Sequence, residues 1–185
     1  MKVITNDIES ILVTPEQINE LTTRIADQIN ESYKNSDKKL VIVCILKGSL
    51  MFTSELMKKI TLPVELEVMK VSSYGVHTES TGVINIHVDL IREDFDECDF
   101  VLVEDIIDSG RTLDHLIRYF LAKGAASVKT CTMLDKPSRR VVDLVPDYVG
   151  IEIPDKFVVG FGLDFAEKYR NLPYVGVLKP EIYSE

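Results

Sequence analysis

The sequence predicts an α/β fold in which a mainly parallel sheet is flanked by helices. Residues 40–46 (LVIVCIL), 100–103 (FVLV) and 127–134 (SVKTCTML) are short apolar runs rich in β-formers, the pattern of strands buried on both faces of a parallel sheet. The first two pass through a short turn into a stretch with apolar residues at helical spacing, so strand, turn and helix alternate. With 185 residues at 45% apolar and 28% charged, the chain has the composition of one globular domain with a real core.

Thr14, Pro15 and Gln17 make a helix start: a hydroxyl N-cap, proline at the first helical position and a side chain at N3 able to complete a capping box. Ile18, Leu21, Ile25 and Ile29 continue as an apolar stripe towards Tyr33 that should pack on the sheet. The strand at 40–46 leads into Lys47, Gly48 and Ser49 and a helical pattern through Leu56 and Ile60. Residues 64–71 and 83–88 read as strands, and the polar stretch between them (72–82, SSYGVHTESTG) is long for a hairpin, leaving a plain exposed hairpin and a lid both open.

After 100–103, Glu104 and Asp105 are expected at the strand's carboxyl edge. Leu113, Leu116, Ile117, Phe120 and Leu121 then form a helix that Gly124 ends. Pro137 breaks the structure after 127–134, where Lys136 emerges, and Arg139 and Arg140 read as a surface basic cluster. Residues 148–162 hold two β-like runs around Pro154 and Asp155, and 174–178 are expected as the last strand.

A formal charge of −9 argues against a surface that coats nucleic acid, which needs clustered Lys and Arg. The start MKVITNDIES lacks the features of a signal peptide, and no run approaches the roughly 20 apolar residues of a membrane span, so the expected location is cytoplasmic, with no membrane and no nucleic-acid partner. Cys44, Cys98 and Cys131 have neither disulfide nor zinc spacing, and Cys44 and Cys131 are expected in the core. His77, His87 and His115 show no metal spacing.

The chemistry concentrates in two strand-to-helix turns. Asp108, Ser109, Gly110, Arg111 and Thr112 feed a helix N-terminus, offering backbone N–H groups, two hydroxyls and the positive end of a helix dipole, which suit a phosphate monoester. Glu104 and Asp105 beside them could accept hydrogen bonds from sugar hydroxyls or hold Mg2+. Together these point to a ribose 5-phosphate, although any one of the acids alone would read as a strand cap or turn residue. Lys47, Gly48 and Ser49 form a second anion-binding edge with one cation. The Lys136 amine could donate to an exocyclic carbonyl. Phe157 offers a face to a flat heterocycle, and the Val158 N–H and C=O can pair with ring edges; a lone phenylalanine in such a run is more often core.

VLVEDIIDSGRTL resembles the ribose-phosphate fingerprint of the purine phosphoribosyltransferases, and its EDIIDSG version resembles the branch acting on 6-oxopurines. PDKFVVGFGLD is similar to that family's purine-binding segment, and EKYRNLPYVG carries a matching arginine, Arg170. The resemblance implies a single phosphoribosyltransferase domain over 1–185, with a core of about 36–150 and a small hood from 1–12 and 151–185 over the purine site. It implies transfer of the phosphoribosyl group of 5-phosphoribosyl 1-pyrophosphate (PRPP) to N9 of hypoxanthine, with guanine a further candidate, as a purine salvage step yielding IMP or GMP and pyrophosphate. The implied cofactor is Mg2+ and the implied assembly a homodimer or homotetramer.

By the same resemblance, Lys47, Gly48 and Arg170 contact pyrophosphate, and Ser73 and Tyr74 belong to a mobile loop closing over the sugar. Glu104, Asp105, Asp108, Ser109, Gly110, Arg111 and Thr112 surround the ribose 5-phosphate, with no role given to the Arg111 side chain. Lys136 reads the 6-oxo group, and Lys156, Phe157 and Val158 hold the base. Asp164 serves the purine edge and, with Glu104 and Asp105, the metal. Asp108 is the expected base near N7. Three rivals are weighed against this. The Lys136 and Phe157 segments oppose a phosphoribosyltransferase for adenine, orotate or uracil, the acidic charge opposes a nucleotide-sensing regulator that binds RNA or DNA, and retention of Asp108, Glu104, Asp105 and Arg170 opposes a non-catalytic module.

Overall fold

In the computed structural model, residues 4–73 and 84–184 are described; Tyr74, the remainder of the expected lid and the side chain of Ser73 lie outside the described residues. In chain order the elements are β1 (Ile8–Val13), α1 (Pro15–Tyr33), β2 (Lys39–Leu46), α2 (Leu50–Met57), β3 (Val64–Ser73), β4 (Ile84–Val88), β5 (Cys98–Ile107) and α3 (Arg111–Ala122). They continue with β6 (Ser127–Asp135), β7 (Tyr148–Glu152), β8 (Val158–Val159), β9 (Val175–Leu178) and α4 (Pro180–Tyr183).

The apolar runs form the centre of a six-stranded sheet of order β4-β3-β2-β5-β6-β7, parallel except where β4 runs against β3. Alternation explains why they are continuous. Leu40 and Ile42 join Val101 and Val103 on one face, under Ile18, Ile25 and Ile29 of α1 and Phe52 and Leu56 of α2. Val41, Val43 and Ile45 join Phe100 and Leu102 on the other face, under Leu113, Leu116 and Phe120 of α3. Both faces are covered, so neither set can be polar.

Local signals act as expected at several ends. Thr14 Oγ1 accepts from the Gln17 N–H at 3.3 Å while Gln17 Oε1 accepts from the Thr14 N–H at 2.9 Å, closing the capping box of α1. Gly124 follows α3 at φ 92°, the left-handed position that ends many helices. Cys44, Cys98 and Cys131 are all buried free thiols.

The structure also corrects several boundaries. β5 runs on to Ile107, so Glu104 and Asp105, expected at the strand's carboxyl edge, lie inside it; their polarity is tolerated because this end of the strand opens towards the site. α2 stops at Met57, with Ile60 in the loop beyond it. β1 had no sequence signal, since its side chains are mostly exposed and do not alternate. The two β-like runs in 148–162 part company: β7 is an edge of the large sheet, whereas β8 joins β9 and β1 in a separate antiparallel sheet of order β1-β9-β8.

Strand order positions the site. The chain lays β3 on one side of β2 and later β5 on the other, so order reverses between β2 and β5, and open α/β sheets form their ligand crevices at the carboxyl ends of such strands. The turns after β2 and β5 therefore open side by side.

Candidate active site

The turn after β5 is built around Gly110. It is left-handed at φ 81°, and a Cβ there would lie 2.8 Å from both Arg140 Cδ and Val142 Cγ2, so a side chain is excluded by conformation and by space. Arg111 and Thr112 are the first two residues of α3, which directs the helix N-terminus at the turn, while the Arg111 N–H leans towards Ser109 Oγ at 3.4 Å. Arg140 holds the turn from behind: its guanidinium donates to the Asp108 carbonyl at 3.1 Å, to the Leu144 carbonyl, and to the Asp135 carboxylate in a largely buried ion pair. The expected surface role for Arg140 is thus overturned, because its planar fork satisfies three acceptors at once.

The turn after β2 meets β5 through Gly48. A Cβ on Gly48 would stand 1.7 Å from Asp105 Oδ2, and one on Gly162, itself at φ 103°, would stand 2.0 Å from the Gly48 carbonyl oxygen. Gly48 is pressed between the β5 carboxylate and the loop after β8. That loop carries Asp164, Glu167 and Arg170. Arg170 donates to the Gly162 carbonyl at 2.8 Å and pairs with Asp164 Oδ1 at 2.9 Å. Lys47 reaches across to Glu167 at 2.9 Å, and the two cations hold the Glu167 carboxyl below its ordinary range, Lys47 foremost. The peptide between Leu46 and Lys47 is cis.

The groups expected around a base gather at the carboxyl end of β6. Lys136 does not project into solvent: it is 7% exposed, and its Nζ donates to the Lys156 carbonyl at 2.6 Å. Burial pulls its pKa down, against the opposing charges of Asp108 and Asp155. The Lys156 side chain is exposed, so that residue contributes to this arrangement through its backbone. Asp108 Oδ1 is enclosed with no hydrogen-bond partner among the described residues, and its Oδ2 lies 3.6 Å from Arg139 Nη1. Phe157 stacks on Tyr183 at 4.7 Å between ring centroids, with Phe165 edge-on at 5.6 Å. Val158 faces Val177 on the edge strand β8, and the Leu178 N–H donates to the Phe157 carbonyl. In antiparallel geometry this makes Val158 a non-hydrogen-bonded pair whose own N–H and C=O point away from β9.

Two carboxylates sit in unfavourable surroundings. Burial pushes Glu104 up to about 8, with the neighbouring Asp105 charge adding to the effect. Burial also pushes Asp105 up to about 6, against the Ile106 N–H and Arg170, which pull down, while Asp164 pushes up. A cation would relieve that penalty, so these hard oxygen donors, with Asp164 nearby, fit Mg2+. Among the described residues no three acidic, histidine or cysteine side chains gather into a metal cage; Mg2+ needs none, since it usually keeps several waters and binds through one or two carboxylates and substrate phosphates.

Sequence reasoning gave Arg139 and Arg140 only a surface role and passed over Gly162, Glu167 and Tyr183. No local pattern marks these last three, since Gly162 packs on Gly48, Glu167 pairs with Lys47 and Tyr183 stacks on Phe157, all distant in the chain. A wide concavity of about 950 Å³ between α1 and Lys129, Asp147 and Tyr148 opens elsewhere and brings none of these groups together.

Known proteins resemble this chain along nearly its whole length. A family profile described as phosphoribosyl transferase domain matches residues 11–166. The chain is 48% identical over 179 residues to a hypoxanthine-guanine phosphoribosyltransferase of Streptococcus pneumoniae, covering 97% of this chain and 98% of that one. It is 44% identical over 178 residues to the corresponding enzyme of Bacillus subtilis, covering 96% and 97%. A crystal structure of a hypoxanthine phosphoribosyltransferase from Staphylococcus aureus superposes with a TM-score of 0.93 at 43% identity, covering 100% of this chain and 98% of that one. With its strand order, its two facing turns and these relatives in agreement, the chain belongs to the phosphoribosyl transferase family, beside the hypoxanthine and hypoxanthine-guanine enzymes.

Proposed function

We propose that this chain is a purine salvage enzyme that transfers the 5-phosphoribosyl group of PRPP to N9 of hypoxanthine, and of guanine, giving IMP or GMP and pyrophosphate. The bond from C1 of ribose to the pyrophosphate oxygen breaks as the bond from C1 to N9 forms. Positive charge develops on the sugar and negative charge on the leaving group, and the purine gives up its N7 proton.

The turn at Asp108, Ser109, Gly110, Arg111 and Thr112 receives the 5-phosphate on the N-terminus of α3, where backbone N–H groups and the helix dipole favour an anion. Glu104 and Asp105 take the ribose hydroxyls or the metal. Lys47, the backbone at Gly48 and Arg170 stabilise the leaving pyrophosphate, an electrostatic role strongest in a site closed from water, with Ser73 and Tyr74 assigned to that closure. Mg2+ held by Glu104, Asp105 and Asp164 would neutralise charge on the pyrophosphate. The base lies against Phe157, pairs with the outward N–H and C=O of Val158 and with the segment at Lys156, and accepts a hydrogen bond from Lys136 at its 6-oxo oxygen. The small sheet of β1, β9 and β8 serves as the hood over it.

The observation that carries this reading is Asp108 Oδ1, an enclosed carboxylate oxygen with no donor among the described residues. Buried polar atoms are nearly always satisfied, and a purine N7–H would supply the missing donor and then the proton. The test is initial rate with PRPP and Mg2+ against hypoxanthine, guanine, xanthine and adenine. Turnover of 6-oxopurines that drops on the order of 100- to 10,000-fold in Asp108→Asn supports it, and turnover of adenine alone, or of no base, rejects it. No helix among the described residues is long and apolar enough to cross a membrane. We assign the enzyme to the cytoplasm as a homodimer or homotetramer, which light scattering on the purified protein would distinguish from a monomer.

A further inference from the structure

One carboxylate oxygen bridges the two cations just assigned to pyrophosphate. Glu167 Oε2 lies 2.9 Å from Lys47 Nζ and 3.3 Å from Arg170 Nη2. Lys47 belongs to the turn after β2, whereas Arg170 belongs to the loop between β8 and β9, so this oxygen joins side chains from two segments far apart in the chain. An oxygen shared by a lysine and an arginine is the environment that a phosphoryl oxygen of pyrophosphate would need.

We infer that Glu167 is a built-in competitor for the pyrophosphate group, occupying Lys47 and Arg170 in the ligand-free protein and reclaiming them as pyrophosphate leaves. This rests on the assignment of those two cations in the proposed function.

The surroundings let the side chain leave without disturbing the loop. The Glu167 N–H donates to Asp164 Oδ2 at 2.9 Å, which pins the backbone, while the side chain is 66% exposed and free to rotate outwards. Arg170 stays in place when Glu167 goes, because the Gly162 carbonyl and Asp164 still hold it. Arg170 Nε is enclosed and donates to nothing among the described residues, so the guanidinium keeps an unused donor. Lys47 makes no other ion pair among the described residues. Among the described residues its amine is therefore paired with Glu167 alone until a polyanion arrives.

Exposed ion pairs are weak, so the competition should tune affinity and not block binding. Removing the charge should tighten pyrophosphate-bearing ligands and leave the base untouched. In Glu167→Gln, the KM for PRPP and the Kd for Mg2+-pyrophosphate, read by calorimetry, should both fall on the order of 3- to 10-fold, as expected from losing two weak ion pairs. The KM for hypoxanthine should not move. Turnover should stay level or fall, because pyrophosphate leaves more slowly, and Glu167→Asp should lie between wild type and Gln.

A PRPP KM and pyrophosphate Kd that are unchanged or weaker in Glu167→Gln would overturn the proposal, the weaker case making Glu167 a support for the cations. Lys47→Met and Arg170→Met separate this from failure of the underlying assignment. If both bind pyrophosphate as wild type does, the cations are misassigned and the competitor role falls with them.

Discussion

The Tyr169 hydroxyl donates a 2.9 Å hydrogen bond to Asp7 Oδ2, and both side chains are buried. This bond ties the N-terminal 3-10 turn (Ile4–Asp7), which also accepts the Lys179 N–H at the Asp7 carbonyl, to the loop that carries Asp164, Glu167 and Arg170. The loop needs such a tie. Phe161, Ala166, Glu167 and Tyr169 all have positive φ, a conformation that costs a non-glycine residue about 1–3 kcal/mol and persists only when its surroundings enforce it. Tyr169→Phe removes one donor from a buried carboxylate and should cost about 1–3 kcal/mol in stability. It should also raise the KM for PRPP more than that for hypoxanthine, as chemical denaturation and steady-state kinetics would record.

Arg140 makes a second prediction. Replacing it with methionine leaves the Asp135 carboxylate in a nearly buried position without its cation, a loss of about 3–5 kcal/mol, and frees the Asp108 carbonyl. Arg140→Lys keeps the charge but not the fork that reaches Asp108, Leu144 and Asp135 together. Both variants should lose activity, and Lys should recover more of the melting temperature than of kcat.

Two glycines separate site geometry from helix termination. Gly48→Ala would drive a methyl group into the Asp105 carboxylate, so turnover should fall well over 10-fold for any folded protein recovered, a 10-fold loss corresponding to about 1.4 kcal/mol. Gly124 lies at φ 92° with nothing within 4 Å of an added Cβ. Gly124→Ala should therefore cost only the backbone penalty of about 1–2 kcal/mol and leave kinetics unchanged. Thermal melts beside initial rates distinguish the two.

A fourth expectation concerns pH. Burial raises Glu104 from 4.5 to about 8 and Asp105 from 3.8 to about 6. The folded metal-free protein then holds more protons than the unfolded chain between those values, so stability falls as pH rises. The loss begins near pH 4, and the Glu104 part continues to about 8. Glu104→Gln should flatten this decline, and melting temperatures between pH 5 and 8 in the presence of chelator would show it. A decline equally steep in the variant would refute the assignment to Glu104.

The continuous apolar runs of β2, β5 and β6, the capping box at Thr14 and the helix stop at Gly124 were legible in the sequence because each depends on residues a few positions apart. The EDIIDSG and PDKFVVGFGLD segments stood out because each resembles a contiguous motif of a known family. β1 was not, since its mostly exposed residues carry no alternation, and Arg140 was not, since a buried arginine and a surface arginine look alike until their acceptors are known. Placing β2 beside β5 brought the Lys47 turn to the Asp108 turn. Folding the loop after β8 back over Gly48 then set Glu167 against Lys47, 120 positions away in the chain. Such pairings depend on which strands become neighbours, and that is settled by burying both faces of the sheet at once, a condition on the whole chain that no local stretch can express.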